Sequence, residues 1–138
     1  IYMTQYHVEQ LVKKHLQVIP GKIIVSPTVE MNGHIAGVFN WVDLAINTKE
    51  LKTIAITRKE KIAVILHEIG HLEYFQKIEN RHAAYIGNIS YTVIEYYADL
   101  YAAKRIGKYP MLQVLNRIVN QGCLKIVERY ELLKNAKI

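Results

Sequence analysis

Cysteine is nearly missing from this sequence, with Cys123 the single example. One thiol closes no internal disulfide and builds no thiolate zinc site on its own, which excludes a disulfide scaffold or a zinc ribbon. The same scarcity suits a reducing compartment, and a cytoplasmic location is expected. Long hydrophobic runs are missing as well: no stretch approaches the roughly 18 uninterrupted apolar residues of a membrane-spanning helix, so no span is expected. Ile1 to Gln10 lacks the basic start, apolar run and small-residue cleavage site of a secretory signal. Dense tracts of one charge are also absent. Eighteen Lys and Arg against twelve Asp and Glu give +6, but the cations are spread over Lys13 and Lys14, Arg58 to Lys61, Lys104 to Lys108 and Lys125 to Lys137. That pattern reads as solvated helix faces and helix C-termini, where cations offset the helix dipole. Nucleic-acid binding as a main function is not expected, since no recognition motif accompanies the charge.

What is present suffices for one ordinary domain. In 138 residues, 51% of them apolar with ten tyrosines supplying most of the aromatic surface, folding buries about two-thirds of the surface the unfolded chain exposes. Thr4 is placed to cap a helix in which Val8, Leu11, Val12, His15 and Ile19 recur at helical spacing until Pro20 and Gly21. From Lys22 to Ile56 the texture changes to short β-branched runs between turn residues: Ile23 to Ser26, Ile35 to Phe39, Asp43 to Asn47 and Thr53 to Ile56, which predicts a small, mostly antiparallel sheet. Trp41 falls in a turn between two of these strands.

Thr57 and Glu60 then carry the S/T-x-x-E spacing of a capping box, opening a helix expected to run to about Ile78. Ile62, Ile65, Ile69, Leu72 and Phe75 form its core face. Ala63, His67, His71, Tyr74 and Ile78 form an adjacent stripe, which sets the histidines beside the core and not within it. Asn80 to Asn88 reads as a loop. A helix follows from about Ser90 to Ile106, ended by Gly107, and Pro110 suits the first turn of another from Met111 to Gln121. Gly122 separates this from a last helix carrying Ile126, Val127, Tyr130 and Leu133. The fold class is therefore α+β: an N-terminal helix, a small sheet, and four helices in succession.

The strongest chemical signal is His67-Glu68-Ile69-Gly70-His71. Residues four apart on a helix lie about 40° apart around its axis and one turn along it, so two imidazoles can grip one ion. Imidazole nitrogen suits zinc, and a catalytic zinc site takes three protein ligands and leaves the fourth position to water. Glu68, next to the first histidine, projects toward that water as a general base. A third ligand is offered by Glu95, in Glu95-Tyr96-Tyr97-Ala98-Asp99. Asp99 lies one turn further on the same face, where it can accept the remaining ring N–H of His67 or His71. Ala98 and Ala102 share that face, and small residues there let the two helices approach. The competing reading of the motif is two solvent-facing histidines and an exposed acidic pair.

His-Glu-x-Gly-His followed by Glu-x-x-Ala-Asp-x-x-Ala-Ala resembles the gluzincin clan of zinc metallopeptidases, over about Asp43 to Gly107. Within it, ITRKEKIAVILHEIGHLEYF and IEYYADLYAAKRIG are similar to the small ImmA/IrrE-type proteins and to the HtpX-like and CAAX-prenyl-protease branch. The chain departs from the second in having no membrane helices and from the first in having no appended sensor or DNA-binding region. The resemblance implies a zincin-like domain, a Zn2+ cofactor held by His67, His71 and Glu95, hydrolysis of a protein or peptide substrate, and an antiparallel edge strand above the metal to hold it. Asp43 to Asn47 is the candidate for that strand.

Tyr91, one turn before Glu95, is a candidate donor to the oxyanion of peptide hydrolysis, with Tyr74, Tyr97, Tyr101 and His82 as competitors. His7, His15 and His34 have no ligand spacing with one another and read as structural or surface residues, and Cys123 as a small core residue. The alternative to an enzyme is a catalytically silent metal-binding module within a larger assembly. The sequence leaves substrate specificity and oligomeric state open.

Overall fold

The computed structural model of the protein describes residues 3–16, 21–31 and 34–138. Among these residues it is an α+β structure of seven helices and a three-stranded sheet, with the first three helices supplying most of the packing on the strands. Helix α1 (Gln5–His15) opens with the expected cap, the Thr4 hydroxyl accepting the His7 N–H at 3.2 Å. The helix stops at His15, with Leu16 already extended, short of the expected run to Pro20; Ile19 and Pro20 themselves lie outside the described residues.

Strands β1 (Ile23–Ser26), β2 (Ala36–Phe39) and β3 (Asp43–Asn47) are ordered β1-β3-β2, with β1 parallel and β2 antiparallel to β3. The sheet is thus mixed, which corrects the mostly antiparallel expectation. A tight turn joins β2 to β3, with Asn40 and Trp41 both at positive φ and the Val42 N–H donating to Phe39 O. This turn makes a hairpin, and β3 returns from it into the gap beside β1. The run Leu44, Ala45 and Ile46 is buried throughout, the signature of a central strand covered on both faces and not of an alternating edge strand. Thr53 to Ile56 is no strand: a short helix α2 (Thr48–Leu51), capped by Asn47, leads into turns there, and Ile54 and Ala55 are apolar because they are buried in the core.

Helix α3 (Arg58–Phe75) begins at Thr57, whose hydroxyl accepts the Glu60 N–H, while the Glu60 carboxylate accepts the Ile56 N–H and pairs with Arg117. It ends three residues earlier than expected. A separate helix α4 (Ile78–Tyr85) follows, where a loop is expected from Asn80, and the Asn80 amide donates to Tyr74 O across the break. Helices α5 (Tyr91–Ile106) and α6 (Lys108–Asn120) come next, then a 3-10 turn at Leu124–Ile126 and α7 (Val127–Asn135). α3 packs mainly on α5 and also touches α1, β2, α4 and α6. Enclosed this way, it is buried at every position from Ala63 to Leu72. His67 and His71 therefore lie within the core, not beside it. No helix of the described residues is long and apolar enough to cross a membrane.

Candidate metal centre

The two helices that carry the motif cross at a glycine. A methyl group on Gly70 would stand 2.9 Å from Tyr101 Cβ and 3.1 Å from Ala98 Cα, so the close approach of α3 and α5 needs a residue without a side chain here. Ala98 and Ala102, both fully buried, are the small residues on the α5 side.

At this separation the ligand atoms converge. His67 Nε2 is 3.1 Å from His71 Nε2 and 3.4 Å from Glu95 Oε1, and His71 Nε2 is 2.8 Å from Glu95 Oε2. Nitrogen and oxygen ligands at ~2.0–2.1 Å around a tetrahedral ion are ~3.3 Å apart. The spacing of these atoms is close to that value, and the three residues form a cluster that could hold a metal ion. All three are screened from water, the Glu95 side chain being the most accessible at 14%.

Behind the cluster lies a chain of buried polar groups. Asp99, fully buried, places Oδ1 2.8 Å from His67 Nδ1. Arg129 of α7 forks onto the same carboxylate, Nε donating to Oδ2 at 3.0 Å and Nη2 to Oδ1 at 2.8 Å, and its Nη1 lies 3.4 Å from Glu95 Oε1. Charge follows from this packing. Burial alone would lower the pKa of His67, but the Asp99 hydrogen bond and charge, aided by Glu95 and Glu68, carry it up to about 10. Burial works against ionisation of Glu95 and Asp99 too. The imidazoles nevertheless hold Glu95 far below the usual carboxylate range, and His67 with Arg129 does the same for Asp99. His67 Nδ1 and His71 Nδ1 are both buried with no hydrogen bond of regular geometry among the described residues, and His67 Nδ1 has the close charged contact with Asp99 in its place.

A cleft of about 380 Å³ opens over the cluster, with His67, Glu68 and Glu95 on one side. Its other walls include Ile35, Ala36 of β2, Ile54 and Val64, and Met111, Val114 and Ile118 of α6. Glu68, 7% exposed, is thus buried yet faces this space. Tyr91 lines the cleft mouth and is 54% exposed. Of its competitors, Tyr74 meets Phe75 edge to face and packs at a tilt on Tyr97, and Tyr97 donates to Glu73. Tyr97 and Tyr101 line a different pocket, and exposed His82 lies on α4, so none of the four lines the cleft.

Several expectations change here. β3 is the middle strand, which disqualifies Asp43 to Asn47 as the open edge above the site; β2 is the edge strand whose residues reach the cleft. Asn47 N–H donates to Ile35 O, so the alternation of an antiparallel ladder points the N–H and C=O of Ala36 and Val38 away from β3. β1, the opposite edge, is occupied by the Gln5 amide, which donates to Ile23 O and accepts from Val25 N–H. His34, exposed as a surface residue is expected to be, and Cys123, half-buried against the core, also line the cleft. Arg129 is buried, at 7% exposure, where the cations from Lys125 onward are expected to be solvated. A signal for it exists: Ile126, Arg129 and Leu133 recur at i, i+3 and i+7, so the arginine falls on the core face of its helix.

The chain matches no protein-family model, and no curated protein or solved structure matches it.

Proposed function

We propose that the chain is a zinc-dependent peptidase of the gluzincin kind, hydrolysing peptide bonds at the cleft between α3, α5, β2 and α6. The observation that carries this reading is the convergence of His67, His71 and Glu95 at ligand spacing, with Glu68 buried in the same cleft. Two imidazoles and a carboxylate are a donor set that suits zinc, and those three residues would hold it. Zinc bound there supplies Lewis acidity, polarising a substrate carbonyl and acidifying water.

The remaining work belongs to the chain. Asp99, 2.8 Å from Nδ1, keeps a proton on that nitrogen of His67 and so leaves Nε2 free as a donor to the ion. Glu68 takes one proton of the attacking water, whose oxygen adds to the carbonyl carbon, and delivers that proton to the amine as the C–N bond breaks. Tyr91 is the candidate for donating a hydrogen bond to the carbonyl oxygen as it gains charge. The outward backbone groups of Ala36 and Val38 offer an extended peptide a strand to pair with. This supports a polypeptide substrate over a compact small molecule.

The test is Glu68→Gln in the full chain, assayed for zinc content and for cleavage of a mixed peptide library. The variant is expected to keep its zinc and lose about 100- to 10,000-fold in turnover, since it forfeits general-base catalysis while the ligands stay. Undiminished cleavage would refute the mechanism. Wild-type protein that binds zinc stoichiometrically but cleaves nothing in the library would favour a silent metal-binding module instead.

A further inference from the structure

The two acidic groups of α5 that face the histidines, Glu95 and Asp99, are served by one cation from a different part of the chain. Arg129 enters from α7, thirty residues beyond Asp99, and its guanidinium is buried against both carboxylates. A guanidinium has donors only, arranged in a rigid fork. Its two hydrogen bonds fix the plane of the Asp99 carboxylate, and the shared Oδ1 also lies 2.8 Å from His67 Nδ1. The third donor, Nη1, reaches toward Glu95 Oε1.

We propose that Arg129 is a positioning residue for the metal centre, acting through Asp99 to hold His67 in the orientation that presents Nε2 to the ion. The inference rests on the reading of His67, His71 and Glu95 as ligands. Its mechanism is geometric: a lysine at 129 would supply a positive charge but a single point of attachment, so it would neutralise Asp99 without fixing its plane. A purely structural arginine, by contrast, would matter for the docking of α7 and leave the histidine chemistry untouched once the chain had folded.

The experiment uses the full chain with zinc as the probe, in wild type, Arg129→Met, Arg129→Lys, Asp99→Asn and the double variant Arg129→Met/Asp99→Asn. Zinc dissociation constants come from chelator competition. Long-range 1H–15N spectra of the zinc-loaded proteins report which ring nitrogen of His67 is protonated, and circular dichroism reports folding. In wild type His67 is expected to be a single species, protonated at Nδ1. Arg129→Met should weaken zinc binding about 10- to 100-fold, the usual range for loss of a group behind a ligand, and should give mixed or broadened His67 nitrogen signals. On the Asp99→Asn background the same change should cost less than about threefold more, because the pathway through Asp99 is already broken. Arg129→Lys should be folded and still show the mixed His67 signals. If Arg129→Met does not fold, Arg129→Lys decides the matter: wild-type affinity with a single Nδ1-protonated His67 overturns the proposal. A full additional loss from Arg129→Met in the absence of Asp99 also overturns it. Wild-type protein that binds no zinc is a different failure, since it removes the metal reading itself.

Discussion

His67 concentrates the chemistry of the site because its two nitrogens do different things. Nδ1 faces a fully buried carboxylate and Nε2 faces the other two candidate ligands. In the metal-free protein its pKa stands at about 10 against an ordinary value of 6.5, and an entering ion must displace the proton that this represents. Apparent zinc affinity should therefore climb about tenfold per pH unit between pH 7 and 9, one proton being released per ion bound. Titrations with a pH-independent competitor measure this, and a flat profile would mean that His67 is not a ligand. The stability of the metal-free chain has the opposite slope. A raised histidine pKa stabilises the fold fully below 6.5 and ceases to do so as pH rises through about 10, whereas the depressed pKa values of Glu95 and Asp99 stabilise it above their ordinary values and fail in acid. The metal-free melting temperature should accordingly fall from pH 6.5 toward 10, and replacing His67 by Gln should flatten that limb.

The pairing of α3 with α5 is what turns two short motifs into one site, and Gly70 sets its closeness. Ala at this position gains about 1 kcal/mol of helix propensity, but its methyl would meet Ala98 backbone and Tyr101 Cβ, neither of which is a flexible side-chain end. Overpacking of this kind costs about 1–3 kcal/mol, and relief by moving α5 outward draws Glu95 away from the imidazoles. Gly70→Ala should therefore lower the unfolding midpoint modestly and weaken zinc binding by more than its stability loss would suggest. Denaturant melts beside chelator competition separate the two; unchanged affinity would show that the helix separation is not critical. At this scale the sequence was readable wherever the determinant was local. Thr4, Thr57 and Ser90 cap the helices that follow them, and the four-residue spacings of His67 with His71 and Glu95 with Asp99 set one face each. The histidine stripe was misplaced because periodicity within α3 says nothing about how many neighbours enclose it. The same blindness hid the order of the strands: a turn at Trp41 fixes which strands are consecutive, not which one becomes central.

Over the whole molecule, the candidate site draws on α3, α5 and α7 while its cleft is completed by β2 and α6. The motif residues could be assembled from the sequence because they sit on two adjacent helices. Arg129 and the cleft walls Ile35, Val114 and Cys123 were not legible as site residues, since only tertiary packing brings them there. Such convergence ties ion binding to folding. On the proposed reading, an ion held by residues from α3 and α5, with α7 docked behind Asp99, would be lost when those elements separate, so binding would select the folded state. At zinc concentrations 100-fold above the dissociation constant the added stability is about 2.7 kcal/mol, which for a domain of this size corresponds to a rise of roughly 10 °C in melting temperature. A chelator should reverse the rise, and Glu95→Ala or His71→Ala should abolish it while leaving the metal-free protein folded. If either variant kept the full zinc-dependent shift, the ion would have to sit elsewhere, and exposed His34 and half-buried Cys123 in the same cleft would be the first residues to examine.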